Sequence, residues 1–194
     1  MSGARVGFAM CGSYCTFDKA LAALAILKTE FPDITPIMSE SAYSTDTRFG
    51  AARDFVRCME EICGKRVIHK ITDAEPIGPG ALLDILVIAP CTGGTMSKIA
   101  RGITDTCVTM AAKAHLRNGR PLLIAVSTND ALSGAAPALG ELLNRKNVYF
   151  VPFYQDDPAK KPTSLVADFD ALNTAVAEAL AGRQPQPLLT AAPK

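Results

Sequence analysis

The sequence predicts a doubly wound α/β domain, in which a mostly parallel sheet carries helices on both faces. Short runs that are almost continuously apolar indicate strands buried on both sides. These runs alternate with longer segments in which apolar residues recur at helical spacing. Such alternation is typical of parallel strands joined by helical crossovers. The length of 194 residues suits one domain, which we expect to span residues 1–182.

Six strands are predicted from apolar runs bounded by turn residues. They cover residues 5–10, 34–38, 67–71, 84–89, 121–126 and 147–153. The run at 84–89 (DILVIA) has the strongest pattern, and we expect Pro90 to end it. Because these strands are nearly continuous in apolar character, helices are expected to cover both faces of the sheet.

Six helices are predicted between and after the strands. They cover residues 18–31, 49–64, a segment after 95 that ends near 101, 107–117, 137–145 and 168–181. Asp18 is a predicted N-cap, and Gly64 is a predicted C-terminal stop. Polar loops are predicted at 39–47, 73–80 and 155–162, and the Pro-, Gln- and Ala-rich segment 183–194 is predicted to be a loose tail.

Composition and charge exclude several classes of function. The chain has 20 basic and 19 acidic residues, a formal net charge of +1, which argues against nucleic-acid binding as its main role. No apolar run approaches the roughly 18 residues of a membrane span, and the first residues lack signal-peptide features, so we expect a cytoplasmic protein. The six cysteines show no CxxC spacing, so reduced thiols are expected rather than a zinc site.

Three loops at predicted strand ends are rich in small and hydroxyl residues. They are residues 11–13 (CGS), 39–47 (SESAYSTDT) and 91–95 (CTGGT). Small residues let backbone N–H groups approach an anion, and a following helix presents its positive end to the same place. Turn formation alone would explain Gly and Ser in any one loop. The three loops together indicate a phosphorylated ligand held by neutral groups.

Other motifs point away from nucleotide and metal chemistry. There is no GxxxxGK[ST] loop, and residues 78–80 (GPG) precede their strand and lack a third glycine, which disfavours NAD binding in the usual manner. His69 and His115 are interpreted as packing or surface residues. Cys11, Cys15 and Cys91 are interpreted as small buried residues, with a reactive thiol as the alternative. Residues 156–161 (DDPAKK) are interpreted as a solvated loop, with a contact surface as the alternative.

The segment 89–95 (APCTGGT), followed by Lys98, Ala100, Gly102 and Asp105, resembles a motif of the homo-oligomeric flavin-containing cysteine decarboxylases. In that flavoprotein family the same strand ends in Pro-Ala-Ser-Ala-Asn-Thr. The loop at 12–13 is similar to the family's first phosphate loop, and the serines at 39 and 41 are similar to its serine-rich loop. The resemblance implies a Rossmann-like flavoprotein fold, a homo-oligomer and bound FMN. The FMN-site residues that it implies are Gly12, Ser13, Ser39, Ser41, Pro90, Cys91, Thr92, Thr95 and Asn129.

Longer stretches resemble one branch of this family, the B subunits of dipicolinate synthases. These stretches are residues 103–106, 110–118, 127–132, 147–153 and 155–168. The resemblance implies that the chain works with an A subunit, which carries NADP, in oxidising dihydrodipicolinate to pyridine-2,6-dicarboxylate in the mother cell of a sporulating bacterium. Because a dicarboxylate needs cationic or N–H partners, Lys98, Lys113 and Arg117 are candidates for binding it.

Three positions depart from the decarboxylase pattern. Pro76 lies eight residues before Asp84, where the decarboxylases have a catalytic histidine, and proline cannot act as a base. Gly94 replaces the asparagine of the phosphate motif. Asn129 corresponds to the asparagine of the family's substrate clamp, although its preceding residues, Ser127 and Thr128, differ from the family's.

Three functional hypotheses therefore stay open. The chain is a flavoprotein subunit that takes part in the oxidation, a non-catalytic module that completes the A subunit, or an independent flavin-dependent decarboxylase or prenyltransferase. The third hypothesis is disfavoured by Pro76. Fold alone does not distinguish the first two.

Overall fold

A seven-stranded sheet organises the chain in the computed structural model, which describes residues 3–192. The strands are β1 (Val6–Met10), β2 (Ile34–Met38), β3 (Ile85–Cys91), β4 (Leu122–Thr128), β5 (Val148–Phe150), β6 (Phe153–Tyr154) and β7 (Leu165–Ala167). Their order is β2-β1-β3-β4-β7-β6, and β5 pairs with β4 outside this path. The pairs among β1 to β5 are parallel, whereas β7 is antiparallel to β4 and to β6.

Residues 3–192 contain eight α-helices. They are α1 (Phe17–Glu30), α2 (Glu40–Ser44), α3 (Ala52–Cys63), α4 (Ile71–Ala74), α5 (Gly93–Arg101), α6 (Cys107–Leu116), α7 (Ala136–Leu143) and α8 (Leu172–Leu180). Short 3-10 helices occupy Tyr14–Thr16, Glu75–Ile77 and Phe169–Ala171. Over the part of the chain that is described, none of the helices is both long and apolar enough to cross a membrane.

Two hydrophobic cores lie on opposite faces of the sheet. Phe8 points into the core formed with α1, α3 and α8, whereas the next residue, Ala9, belongs to the core formed with α5, α6 and α7. This alternation follows from the two-residue period of a strand. Each fully buried large apolar side chain, such as Phe8, contributes about 1.5–3 kcal/mol. The predicted doubly wound fold, with its mostly parallel sheet, is confirmed.

The strand order reverses at β1. The chain passes from β1 to β2 on one side and then returns to place β3 on the other side of β1. In open α/β sheets, ligands bind outside the carboxyl ends of the strands at such a reversal. A ligand site is therefore expected at the carboxyl ends of β1 and β3.

Several predicted boundaries were wrong at the strand ends. The polar loop at 39–47 contains α2, because the Ser39 side chain accepts a hydrogen bond from the Ala42 amide and begins the helix. β3 continues through Pro90 to Cys91, and its pairing with β4 shifts register there. Thr16, rather than Asp18, is the residue before α1.

Two further predictions about strands were wrong. Residues 67–71 form no strand and make only a single parallel bridge, between Ile37 and Ile68. The strand at 147–153 is divided into β5 and β6, and β7 was missed. A segment of only three residues, Leu165–Ala167, carries too little pattern to be recognised without its partners.

The C-terminal segment is attached to the sheet as far as it is described. The Gln184 side chain bonds both backbone groups of Phe150, and Leu188 and Thr190 bond the backbone of Phe153. A loose tail over 183–194 is therefore wrong for residues 184–190, and residues 193 and 194 lie outside the described part. The reason is that the edges of β5 and β6 offer unpaired backbone groups to this segment.

Candidate functional site

A cavity of about 340 Å³ opens at the carboxyl ends of β1, β3 and β4. Its polar lining comes from the loop after β1, the start of α5 and the end of β4. These residues include Gly12, Ser13, Thr16, Thr92, Ser127 and Asn129. The cavity thus lies at the place where the strand order predicts ligand binding.

A network of three hydroxyl groups forms the floor of the cavity. The Ser13 and Ser127 oxygens are 2.9 Å apart, and the Thr16 oxygen is 3.1 Å from that of Ser127. Thr16 donates its hydrogen to the Ser13 carbonyl at 2.9 Å. Since a hydroxyl has one hydrogen, Ser127 must donate to Thr16 and accept from Ser13. Ser13 can turn its hydrogen to a ligand without leaving a buried donor unpaired.

The N-terminus of α5 forms the side of the cavity next to β3. Thr92 caps the helix, accepting from the Thr95 amide at 3.2 Å and donating to the Thr95 hydroxyl at 3.0 Å. The first amides of a helix have no acceptor within it, and the helix dipole favours an anion there. A Cβ at Gly94 would meet nothing within 4 Å, so open space adjoins these amides.

Gly93, by contrast, is tightly packed. A Cβ there would lie 2.5 Å from Asp130 Oδ1 and 2.9 Å from Thr128 Oγ1. Asp130 in turn accepts a hydrogen bond from the Thr128 hydroxyl at 2.6 Å. Glycine at this position therefore lets the start of α5 approach the end of β4 closely.

A second polar group lies on the β2 side of Gly12. The Ser39 and Ser41 hydroxyls are 3.2 Å apart, and Tyr14 donates its hydroxyl hydrogen to the Ser41 carbonyl at 2.9 Å. A Cβ on Gly12 would come within 3.4 Å of Ser41 Oγ, so the loop after β1 contacts α2. The structure thus places Ser39 and Ser41 beside Gly12, and Ser13, Thr92 and Asn129 around the cavity.

Two of the predicted site residues, Pro90 and Cys91, lie inside β3 and are buried. Burial raises the pKa of the Cys91 thiol well above its usual value and raises that of Cys11 to about 11. Both thiols are therefore neutral, as expected for small buried residues. The same interpretation was wrong for Cys15, which is exposed and lines the cavity. Pro90 and Cys91 position Thr92 by the course of the backbone.

Three charged side chains of the cavity were not among the predicted site residues. They are Lys19 on α1, and Asp156 and Lys161 on the segment between β6 and β7. Burial alone would raise the pKa of Asp156, but hydrogen bonds from Lys161 and Ser164 outweigh it and lower the pKa. For Asp156 and Lys161 the sequence signal was the charged run at 156–161, because a contact surface was the alternative interpretation of that run.

The predicted dicarboxylate-binding residues are not at this cavity. Lys98 pairs with Asp105 at 2.9 Å. Lys113 and Arg117 line a separate cavity of about 310 Å³ beside the C-terminal ends of α5 and α6. Cations at those ends complement the helix dipoles. These three residues thus lie apart from the cavity at the strand ends, and their assignment to a dicarboxylate stays a prediction.

Both histidines are packed against other groups of the chain. His115 is 1% exposed, and its Nε2 lies 2.9 Å from the Pro121 carbonyl oxygen. Burial lowers its pKa to about 4, so the ring is neutral at pH 7. The His69 ring stacks on Tyr43 with centroids 3.7 Å apart. Pro76 lies in the exposed part of a 3-10 helix outside the cavity lining.

Comparisons with known proteins give matches over most of the chain. Residues 1–151 match the model of the family described as Flavoprotein. The chain is 43% identical over 189 residues to the dipicolinate synthase B subunit of Bacillus subtilis (strain 168), covering 97% of this chain and 94% of the relative. A crystal structure of the dipicolinate synthase B subunit from Bacillus halodurans C has a TM-score of 0.90 and 40% identity, with 98% of each chain covered.

A more distantly similar structure shares the fold, and a further sequence match covers a short segment. The FMN-dependent cysteine decarboxylase SpaF has a TM-score of 0.67 at 22% identity, covering 92% of this chain and 98% of its own. The flavin prenyltransferase UbiX of Thermoplasma acidophilum is 48% identical over 50 residues, which is 25% of this chain and 28% of the relative.

Proposed function

The chain belongs to the flavoprotein family, in the group that contains the dipicolinate synthase B subunits, and on that premise we propose that it is an FMN-binding subunit of a dipicolinate synthase. It would act with an NADP-carrying A subunit in the oxidation of dihydrodipicolinate to dipicolinate, in the cytoplasm of a sporulating mother cell. The observation that carries the proposal is the convergence of hydroxyl groups and first-turn amides at the reversal of strand order.

The donor groups present fit FMN. A phosphate accepts hydrogen bonds from hydroxyl and amide groups, and a ribityl chain both accepts and donates them. Gly12, Ser13, Thr92 and Thr95 supply such groups. Ser39 and Ser41 supply two more hydroxyls across the loop after β1. The open space at Gly94 leaves room for a ring system beside α5. When bound, FMN supplies the capacity to accept or donate a hydride.

The protein's contribution in this proposal is to bind and orient. Asn129 lines the cavity, and its backbone carbonyl accepts a hydrogen bond from the Thr163 hydroxyl at 2.6 Å. Because the backbone is held in this way, the Asn129 side chain can fix the substrate's orientation. The pKa of Asp156 is lowered, and those of Tyr154 and Lys161 are raised. Each of these pKa values is shifted further from 7, which makes the three groups poor acid–base catalysts at pH 7.

Two other functions receive different support. The decarboxylase hypothesis is disfavoured, because no histidine among the described residues lines the cavity. Pro76 occupies the sequence position of the decarboxylases' catalytic histidine, and it does not line the cavity either. The scaffold hypothesis is the second candidate, and the shifted pKa values of Asp156, Tyr154 and Lys161 favour it, because they make these three groups poorly suited to proton transfer at pH 7.

The experiment that tests the proposal is a comparison of the A subunit alone with A plus this chain. We expect the purified chain to bind FMN in a 1:1 ratio and to raise the rate of dipicolinate formation more with FMN than without it. Equal rates with FMN-loaded and FMN-free chain would favour the scaffold function. Absence of FMN binding, measured by the visible spectrum and by fluorescence quenching, would overturn the cofactor assignment.

We also propose that the chain forms a homo-oligomer. Phe49, which is 44% exposed, lies just after the serine-containing segment and packs under the Arg48 guanidinium at 4.9 Å. A second copy that covers this aromatic surface would lie next to the Ser39 and Ser41 side of the site. Light scattering coupled to size-exclusion chromatography measures the number of copies.

A further inference from the structure

One wall of the cavity comes from the segment between β6 and β7, residues 155–164, here called the β6–β7 loop. The Thr163 hydroxyl donates to the Asn129 carbonyl at 2.6 Å, and the Leu132 amide donates to the Thr163 carbonyl at 2.9 Å. The Gln155 side chain bonds the Pro162 carbonyl at 2.8 Å and closes the base of the loop. These bonds fix the loop against the end of β4, so its side chains have defined positions at the cavity.

Within this loop a carboxylate is held by two donors. Lys161 Nζ lies 2.7 Å from Asp156 Oδ2, and the Ser164 hydroxyl lies 2.7 Å from Asp156 Oδ1. Ser164 is 1% exposed, whereas the Lys161 side chain is 48% exposed. An ammonium group has three hydrogens, so Lys161 keeps donors for a second acceptor in the cavity. Lys161 and Ser164 thus form a carboxylate-binding arrangement, and the carboxylate bound in it is that of Asp156.

A second ammonium group also lines the cavity. Lys19 on α1 lines it, and among residues 3–192 this lysine forms no salt bridge. Asp156 is the one acidic residue in the described lining, so the cavity carries two positive charges against one negative. The chain as a whole has a formal net charge of only +1. The cavity is therefore suited to an anion.

We propose that Lys161 and Lys19 bind a carboxylate of the substrate, and that Asp156 competes with that carboxylate for Lys161. This inference depends on the proposed function, because it assigns specificity-determining residues to the same substrate. The side-chain amide of Asn129, which lines the same cavity, supplies a neutral partner for the rest of the molecule, and the Ser13 hydroxyl is left to the cofactor. A half-exposed ion pair stabilises a fold by about 1 kcal/mol or less, so the pair has little structural value.

The phosphate of FMN is the other anion that these lysines could meet. The carboxylate is favoured because Lys19 and Lys161 lie on the β4 side of the loop after β1, whereas Ser39 and Ser41 offer their hydroxyls on its β2 side. Neutral hydroxyl and amide donors suffice for a phosphate at a helix start. The two anions are separated in the experiment by comparing affinity for FMN with affinity for riboflavin.

The test is calorimetric titration of pyridine-2,6-dicarboxylate, and of the neutral pyridine-2,6-dicarboxamide, into the FMN-saturated chain, alone and with its A subunit. Lys161→Met is compared with Lys160→Met, the adjacent exposed lysine that does not line the cavity. We expect Lys161→Met and Lys19→Met each to weaken dicarboxylate binding about tenfold or more, as for a lost charged hydrogen bond. Lys160→Met should change it less than twofold, and Asp156→Asn should strengthen it.

Several results would overturn the inference. One is that Lys161→Met and Lys160→Met bind the dicarboxylate equally tightly, and another is that Asp156→Asn binds it more weakly than the wild type does. The others are that the wild type binds the dicarboxamide as tightly as the dicarboxylate, or that it binds no dicarboxylate with or without the A subunit. Selective loss of FMN over riboflavin affinity in Lys161→Met would assign the lysine to the phosphate instead. Failure of the wild type to take up FMN is a separate result, since it contradicts the proposed cofactor, and the same variants titrated without FMN still test the lysines.

Discussion

The hydroxyl oxygens of Ser13 and Ser127 lie 2.9 Å apart, although 114 positions separate them in the sequence. The contact joins the loop after β1 to the carboxyl end of strand β4, so the ends of the two strands on either side of β3 form one surface. Because Thr16 fixes the direction of the network, Ser13 is the member that can reorient its hydrogen toward a ligand.

Ser13→Ala should therefore weaken FMN binding by about tenfold, which corresponds to about 1.4 kcal/mol. The change removes the hydroxyl that can reorient toward a ligand but leaves the bond between Ser127 and Thr16. Fluorescence quenching of FMN measures the affinity. Ser44→Ala is the matched control, because the Ser44 hydroxyl bonds only a carbonyl within α2. Equal affinities of the two variants would show that Ser13 makes no contact with the cofactor.

The two glycines at the start of α5 should respond in opposite ways to alanine. Gly93→Ala places a Cβ against Asp130 and Thr128 and should destabilise the fold by about 1–3 kcal/mol. Gly94→Ala enters open space in a helix and should stabilise it by about 0.5–1 kcal/mol. Urea unfolding measures both. If the FMN ring occupies that space, Gly94→Ala also weakens FMN binding while it stabilises the protein.

The sequence was sufficient for the fold class and for the strands with long apolar runs. β1, β2 and β3 are recognisable because burial on both faces leaves a continuous pattern. β6 and β7 have only two and three residues, and they exist through pairing with distant strands. Sequence periodicity contains no information on such partners.

The candidate site was predictable to a similar extent. Gly12, Ser13 and Thr92 stand directly after strands, so the common direction of parallel strands brings them together. Lys161 and Asp156 reach the cavity only because the β6–β7 loop is fixed against Asn129. That position depends on an antiparallel pair that the sequence did not reveal, so the charged run could be assigned only to a loop.

Stability should fall between about pH 6.5 and pH 4 because of His115. Its pKa is lowered to about 4 in the folded chain, so the unfolded chain binds the proton first as the pH falls. The full stabilisation is present above pH 6.5, and about 3 kcal/mol is lost by pH 4. Urea unfolding from pH 7.5 to 4.5 measures the loss. His115→Gln, which can still donate to the Pro121 carbonyl, should show a flatter dependence, and an unchanged slope would assign the effect to other groups.

The edge of β5 should depend on one glutamine. Gln184 Oε1 accepts from the Phe150 amide at 2.9 Å, and its Nε2 donates to the Phe150 carbonyl at 2.8 Å, as a neighbouring strand would. Gln184→Ala leaves both groups without this partner, so we expect a loss of about 1–3 kcal/mol in urea unfolding. Gln186→Ala is the control, since its side chain bonds only the nearby Leu188 amide. A loss no larger than that of the control would mean that water replaces Gln184 at this edge, and that the C-terminal segment adds little to the sheet.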